Sequence, residues 1–192
     1  MIRVIFDARF ITPERTGVGR VTESLLLRLL KDPQDTEIHV MHNDGLSEHL
    51  LGEHPVQVTT MFDSHPGGDI HRNIVLRKII SERNLDLFFS PAFYSIQRGR
   101  HIPQVVLIHD LAVFDQPGSE NPAFRLYLRQ MIQSSVRNAT ILTTPSEFVR
   151  TQLINRFNLD GDAVKAIHLG VDPEFGKYND ERAQYLREHY CL

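Results

Sequence analysis

The order of apolar and polar residues along the chain alternates between two periods. Short runs with a period of two, typical of strands, alternate with longer segments in which apolar residues return every three or four positions, typical of helices. The strand-type runs lie at 2–6, 37–42, 56–60, 86–90, 103–110, 139–144 and 163–169. The helix-type segments lie at 18–31, 69–83, 121–137, 145–157 and 179–189. This alternation predicts an α/β domain with a doubly wound parallel sheet of the Rossmann-like kind and helices on both faces.

Two of these segments carry a stronger pattern than the rest. The helix at 18–31 has one apolar stripe, which we expect to face the sheet and which consists of Val18, Val21, Leu25 and Leu29. The run PQVVLIHD at 103–110 is the most apolar of the strands. We therefore expect it to be a central strand that is buried on both faces and ends at His109 and Asp110.

Chemically useful residues follow four of the predicted strands. In open parallel sheets, ligands bind beyond the carboxyl ends of the strands, near the point where the strand order reverses. The four stretches at such ends are 7–20, 93–94, 109–110 and 145–147. They predict that the functional site lies along one edge of the sheet.

The first of these stretches contains a glycine turn at the mouth of a helix. Gly17 and Gly19, followed by Arg20, precede an amphipathic segment, and the free N–H groups and dipole of a helix start favour an anion. A P-loop would need Lys and then Ser or Thr after the glycine, and a dinucleotide fingerprint would need a third glycine where Thr22 stands. The spacing therefore predicts a longer glycine loop that presents its backbone to a diphosphate. A plain loop-to-helix transition is the alternative.

The other strand ends also allow two interpretations each. His109 could hydrogen-bond a sugar hydroxyl or transfer a proton, or it could be a core histidine bonded to the backbone. Ser146 and Glu147 could line a ligand site, or they could simply cap the helix that follows them. The D-x-D spacing in LDGD (159–162) is used by some sugar transferases to hold a metal, but its position after a helix indicates a turn. We predict no metal site and no cofactor.

Composition narrows the class of protein. A chain of 192 residues fits one domain with a small appendage, and a formal net charge of −3 argues against a general nucleic-acid binder. With Cys191 as the only cysteine, no disulfide framework can form, so we expect a cytoplasmic protein. The helix at 121–137 carries arginines without acidic residues, which suggests peripheral contact with the inner face of the membrane. The alternative is that its apolar stripe faces the core.

Several stretches in series resemble the N-terminal half of glycosyltransferase family 4. They are DAR, TGVGRVTESLLLRLL, HDLAVFDQP, RNATILTTPSEFVRTQL and AVKAIHLGVDPEF, and together they cover about residues 2 to 175. The resemblance implies the two-domain GT-B fold and a mostly retaining sugar transfer. One departure is the pair His168-Leu169, where the family often has Pro-Asn before the glycine.

The resemblance also implies roles for the residues at the strand ends. Gly17, Gly19 and Arg20 would approach the donor diphosphate and the acceptor. His109 would contact the transferred sugar, with Asp110 as its companion. Ser146 and Glu147 would line the cleft between the two domains. The partners implied are a nucleotide-sugar donor and a saccharide or lipid-linked acceptor, as in bacterial polysaccharide synthesis.

The same resemblance implies that a second domain holds most of the donor. We expect residues 1–176 to form the acceptor-side domain and residues 177–192 to form a terminal helix that leads towards a C-terminal donor-binding domain. On its own, the chain would then have scarcely any activity. Two other functions remain open: a sugar-phosphate binding module without catalysis, and one half of a sugar-nucleotide epimerase, since such epimerases share the GT-B fold.

Overall fold

A computed structural model describes residues 1–12, 14, 16–42, 57–60, 68–96, 102–115, 121–171 and 180–190, and for residues 57–60 and 68–72 it describes the main chain only. The strands are β1 (Ile2–Asp7), β2 (Thr36–His42), β3 (Gln57–Thr60), β4 (Leu87–Ser90), β5 (Gln104–Leu107), β6 (Ile141–Thr144) and β7 (Val164–Ala166). The helices are α1 (Gly17–Lys31), α2 (Gly68–Glu82), α3 (Ala112–Asp115), α4 (Pro122–Asn138), α5 (Glu147–Phe157) and α6 (Asp180–Tyr190), with a short 3-10 turn at Gly161–Ala163.

The strands form one seven-stranded sheet in the order β3-β2-β1-β4-β5-β6-β7, and every neighbouring pair is parallel. The chain proceeds outward from β1 to β2 and β3 on one side and from β4 to β7 on the other. The order therefore reverses between β1 and β4. The prediction of a doubly wound, Rossmann-like parallel sheet is confirmed, and a ligand crevice is expected at this reversal.

Helices cover the sheet on both faces because successive strand residues point to opposite sides. Val4 and Phe6 of β1 pack against Leu26 of α1 in one apolar cluster. Ile5, between them in sequence, belongs to a second cluster with Leu76 of α2 on the opposite face. A third cluster extends this second layer with residues of α4, α5 and the strands β5 to β7, among them Val106, Ile132, Leu142, Leu153 and Val164.

The structure corrects the predicted stripe of α1. The buried line consists of Gly19, Thr22, Leu26 and Leu30, which is one position further along than predicted. Leu25 and Leu29 are only partly buried at its border. The prediction failed because Gly19 and Thr22 carry no apolar signal, although both are buried.

The structure also shortens the predicted central strand. β5 ends at Leu107 rather than at residue 110, although the N–H of Ile108 still donates to the carbonyl oxygen of Thr143 at 2.9 Å. His109 and Asp110 therefore lie just beyond the strand, at the start of the connection to α3. Strand β7 is likewise shorter than predicted, ending at Ala166.

Candidate functional site

The point where the strand order reverses holds a buried ion pair. Asp7, the last residue of β1, is fully buried, and Arg9 is 8% exposed. The guanidinium of Arg9 donates two hydrogen bonds to this carboxylate, from Nε to Oδ1 at 2.8 Å and from Nη2 to Oδ2 at 2.7 Å. The same guanidinium lies 4.3 Å from the ring centre of Tyr94, which follows β4. This ion pair therefore joins the segments that leave β1 and β4.

The glycine turn begins α1 next to this ion pair. Thr16 is the N-cap of the helix, and its Oγ1 accepts the N–H of Gly19 at 3.0 Å. A Cβ placed on Gly19 would lie 2.6 Å from the carbonyl oxygen of Phe10, so a side chain at this position would collide with the main chain. Phe10 in turn packs edge-on against Phe93, with ring centres 5.5 Å apart. The start of α1 is thus packed onto the segment that follows β4.

Gly17 lies in a different environment from Gly19. In the described part of the chain, no atom outside its own helix and its chain neighbours comes within 4 Å of the position that a Cβ on Gly17 would occupy. Within the described part of the chain, the N–H groups of Gly17 and Val18 have no hydrogen-bond partner, whereas those of Gly19 and Arg20 are bonded to Thr16. The side chain of Arg20 is exposed. Two adjacent free N–H groups beside a cationic side chain form the electrostatic setting that an anion favours.

His109 also contacts the segment that follows β4. Its Nε2 is 2.8 Å from the carbonyl oxygen of Pro91, and the side chain is half-buried. This contact is the backbone bond that the core-histidine interpretation requires, but the ring is not enclosed. Gly19, through Phe10 and Phe93, and His109, through Pro91, therefore meet the same segment at the carboxyl edge of the sheet.

Asp110 holds the main chain rather than a neighbouring side chain. Its Oδ1 accepts the N–H of Ala112 at 3.0 Å and so caps the short helix α3, which the sequence did not predict. Arg129 of α4 donates to the last carbonyls of this helix, from Nε to Val113 at 2.6 Å and from Nη2 to Phe114 at 3.2 Å. Arg156 of α5 forms an ion pair with Asp115. Arginines from two helices thus anchor the segment next to His109.

Ser146 and Glu147 lie at the end of β6, two strands away from β4. Ser146 is the N-cap of α5, with its Oγ accepting the N–H of Val149 at 3.3 Å. Glu147 is exposed and lies 3.4 Å from Arg150, one turn along the helix. These contacts are those of the capping interpretation, and a role in lining a cleft stays a prediction.

The D-x-D stretch forms a turn. Asp160 caps the 3-10 turn, because its carboxylate accepts the N–H of Asp162 at 2.9 Å and so stabilises the turn. Across the described residues, no group of three His, Cys, Asp or Glu side chains is placed to hold a metal ion. Among the helices of that same part of the chain, none is long and apolar enough to cross a membrane.

Sequence reasoning missed three contacts of this site: Arg9 with Tyr94, His109 with the carbonyl of Pro91, and Phe10 with Phe93. The stretches 7–20 and 93–94 were identified as strand ends, but nothing in them indicates that Arg9 of one would lie against Tyr94 of the other. Pro91 contributes its main-chain carbonyl. Because every residue has this group, the sequence gives no sign that the carbonyl of Pro91 in particular would contact His109. The contact between Phe10 and Phe93 depends on β1 and β4 being neighbours, which follows only from the strand order.

The fold and the position of this site define a class of protein. Within the described chain, the carboxyl edge of a seven-stranded parallel sheet carries the glycine turn and His109. This is the Rossmann-like architecture of one half of a GT-B fold, and the solved structures that share it include a galactosyltransferase. HepE of Anabaena, in its structure with UDP-glucose, matches 99% of this chain at 20% identity, with a TM-score of 0.62. The lipopolysaccharide outer core galactosyltransferase WaaB matches 90% at 12% identity, with a TM-score of 0.61.

The sequence itself leads to the particular family. A profile described as Glycosyltransferase Family 4 matches residues 15–175, which is most of the chain. The chain therefore belongs to glycosyltransferase family 4, and the resemblance seen in its motifs is confirmed. No curated protein matches the sequence. The chain spans about half the length of the similar structures, 50% of HepE and 46% of WaaB.

A third structure bears on the epimerase alternative. A protein of Listeria monocytogenes, assigned provisionally as a UDP-N-acetylglucosamine 2-epimerase, matches 85% of this chain at 12% identity, with a TM-score of 0.55. At this identity the likeness concerns the fold alone.

Proposed function

We propose that this chain is the acceptor-side half of a retaining glycosyltransferase, which moves a sugar from a nucleotide-sugar to a saccharide or lipid-linked acceptor in bacterial polysaccharide synthesis. The proposal rests on one observation: backbone N–H groups and a histidine ring lie at the same edge of the sheet. The free N–H groups of Gly17 and Val18 suit a diphosphate, and the partly exposed ring of His109 suits a sugar. HepE has been solved with UDP, with UDP and glucose, and with UDP-glucose.

In this proposal, residues 1–176 form the acceptor-side domain, and residues 177–192 lead to a C-terminal domain that holds most of the donor. The reaction then needs no protein nucleophile from this half. The two domains orient donor and acceptor across the cleft, and the start of α1 stabilises part of the charge on the leaving diphosphate. We place the enzyme in the cytoplasm, and we expect this half alone to turn over scarcely any substrate.

Replacing His109 with alanine should reduce the turnover of the full-length enzyme at least tenfold, which corresponds to about 1.4 kcal/mol of barrier. The reason is the loss of the ring that would contact the transferred sugar. Steady-state kinetics with the accepted nucleotide-sugar measure the effect, and His189→Ala, a change to an exposed histidine on α6, is the control. Normal turnover in the His109 variant would assign this residue a purely structural role.

Replacing Gly17 with alanine tests the diphosphate contact separately from the fold. The new methyl group contacts no atom of the residues that the structure describes beyond its own helix, so the stability should not fall, but the methyl group would lie beside the free N–H groups. We expect KM for the nucleotide-sugar to rise about tenfold, a loss of about 1.4 kcal/mol of binding. The control is Ser24→Ala on the exposed side of α1. An unchanged KM would show that no ligand approaches this backbone.

The epimerase alternative is decided by a product assay. The full-length protein would be incubated with UDP-N-acetylglucosamine, with and without saccharide acceptors, and the products separated by chromatography. Inversion at C2 of the sugar would support the epimerase, and transfer to an acceptor would support the transferase. A protein that binds the nucleotide-sugar but converts it in neither assay would be the binding module.

We also propose peripheral membrane contact through residues 121–137, which make up nearly all of α4. Phe124, Leu126 and Tyr127 are exposed there, and Phe124 stacks on Tyr127 with ring centres 6.4 Å apart. Apolar groups presented beside Arg125, on a helix without acidic residues, suit the boundary of an anionic membrane. Arg129 contributes less, because its guanidinium is bonded to carbonyls of α3.

This contact can be measured by sedimentation with vesicles that contain anionic lipid. The double change Phe124→Ser and Leu126→Ser should weaken the partitioning at least tenfold, because two exposed apolar side chains no longer insert. The matched control is Ile74→Ser, which removes an exposed apolar residue from α2. Equal loss in both variants, or no binding of the unchanged protein, would contradict the proposal.

A further inference from the structure

Two phenylalanines pack together at the point where the strand order reverses. Phe10 follows β1 and Phe93 follows β4, and their rings pack edge-on, with centres 5.5 Å apart and planes at 66°. Both residues are only partly buried, so apolar surface remains accessible to a ligand there. Phe93 packs against two apolar clusters, whereas Phe10 belongs to none of the three clusters in the described part of the chain. Packing in the core therefore accounts for Phe93 but not for Phe10.

The main chain that carries each of these two rings is held by hydrogen bonds. Phe10 lies in a turn that is closed by the N–H of Ile11, which donates to the carbonyl oxygen of Ala8 at 3.0 Å. The carbonyl oxygen of Phe93 accepts the Oγ of Ser135, from α4, at 2.6 Å. The rings are thus positioned in the free protein, so a ligand that stacks on them loses little binding energy to ordering the site.

The exposed positions between Phe10 and α1 are polar in the described part of the chain. Thr12, Glu14 and Thr16 are exposed there and carry hydroxyl or carboxylate groups. Aromatic rings beside such groups suit a pyranose, because a sugar ring has apolar C–H faces and hydroxyl groups around its edge. The electron-rich face of an aromatic ring attracts those C–H hydrogens. An acyl or polyprenyl chain would instead need a long, continuous apolar surface.

We propose that Phe10 and Phe93 form an aromatic platform on which a pyranose ring of the acceptor stacks. The segment that carries Phe93 also contacts His109 through Pro91, and the acceptor has to lie next to the transferred sugar for the reaction to occur. The inference rests on the proposed function for calling this pyranose the acceptor, but not for the presence of a sugar-binding surface. It specifies the acceptor group as a saccharide ring with an unbroken C–H face rather than a lipid chain.

The aromatic platform can be tested in this chain without a donor. Phenylalanine labelled with ¹³C in the ring reports ligand contact by NMR, and the signal that disappears in Phe10→Leu assigns residue 10. We expect methyl β-galactoside or methyl β-glucoside to shift this signal in a saturable way, whereas glycerol at the same concentration should leave it unchanged. The internal control is the signal of Phe157, which forms a similar partly buried, edge-on pair with Phe114, with ring centres 5.7 Å apart.

Three results of this titration would overturn the proposal. The first is that neither glycoside shifts the signal of Phe10. The second is that glycerol shifts it equally, or that the signal of Phe157 moves as far. The third is a larger shift with 1-hexanol than with either glycoside, which would assign the rings to an aliphatic chain.

Steady-state kinetics of the full-length enzyme test the role of the platform in acceptor binding. Phe10→Leu keeps an apolar side chain but removes the aromatic ring, so we expect KM for the acceptor to rise about fivefold or more. KM for the nucleotide-sugar and kcat should stay unchanged. Phe10→Tyr, which keeps the ring, should leave the acceptor KM close to its original value. The matched control is Phe157→Leu, which removes one ring of the similar pair and should alter neither KM.

An unchanged acceptor KM in Phe10→Leu, an equal rise of both KM values, or a Tyr variant as impaired as the Leu variant would overturn the assignment to the acceptor. The NMR titration decides whether the platform binds a sugar even if the proposed function fails, because it requires neither a donor nor turnover.

Discussion

Replacing Asp7 with alanine is expected to lower the free energy of unfolding by about 3–5 kcal/mol, because the change removes the carboxylate to which the buried guanidinium of Arg9 donates two hydrogen bonds. Asp7 is fully buried and accepts two bonds from that guanidinium, at 2.8 and 2.7 Å. Few water molecules can reach Arg9 to replace the carboxylate, since its side chain is 7% exposed. Urea denaturation followed by circular dichroism measures the change.

Two controls separate this effect from the loss of any ion pair. Glu82→Ala removes an exposed partner of Lys78 on α2 and should alter the stability by at most about 0.5 kcal/mol. The double variant Asp7→Leu with Arg9→Met removes both buried charges and should recover much of the loss. If Asp7→Ala were as mild as Glu82→Ala, the ion pair would not stabilise the join between β1 and β4.

Replacing Gly19 with alanine should lower the free energy of unfolding by about 1–3 kcal/mol, the usual effect of inserting atoms into a close-packed contact. The new Cβ would lie 2.6 Å from the carbonyl oxygen of Phe10 and 3.1 Å from Oγ1 of Thr16, which caps the helix. One of these neighbours has to move, and the main chain at Phe10 cannot do so without disturbing its contact with Phe93. Thermal or urea denaturation measures the stability.

Gly17→Ala is the matched control, since it makes the same change two residues earlier in the same helix, where no atom lies within 4 Å. Its stability should be unchanged or slightly higher, because alanine favours helix over glycine by up to about 1 kcal/mol. The two glycines of one short motif would then serve different purposes, Gly19 for packing and Gly17 for access to the backbone. Equal destabilisation by both changes would contradict this division.

The elements of the fold could be predicted from the sequence because each is set by a local pattern. Every predicted strand and helix of the described chain is present, with ends that differ by a few residues, and the parallel arrangement follows from their alternation. The largest errors in length are equal and lie at β5 and β7, and in β5 the apolar run continues to Ile108 whereas the strand does not. Apolar character reports burial, and Ile108 is buried although it lies beyond the strand.

The site was less predictable than the fold. The stretches after β1, β4 and β5 lie at one edge of the sheet, as the strand ends predicted, and the roles of their residues stay predictions. The contacts within the site were not foreseen. The hydroxyl of Ser146 caps a helix by accepting the N–H of Val149. The carboxylate of Asp110 accepts the N–H of Ala112 at the start of α3, a helix that the sequence did not predict. Short polar side chains next to helix starts fit both capping and ligand binding, so their residue types alone cannot separate the two.

What the sequence by itself determined is the type and order of the elements, the edge at which the glycine turn and His109 lie, and through the motifs the family. These depend on neighbours within a few positions, where periodicity and capping act. Only the tertiary structure decided that β1 lies beside β4, and with it that Arg9 contacts Tyr94, that Phe10 contacts Phe93, and that Nε2 of His109 lies 2.8 Å from the carbonyl oxygen of Pro91. Such contacts join residues far apart in the chain and use main-chain atoms common to all residues, so no local pattern records them.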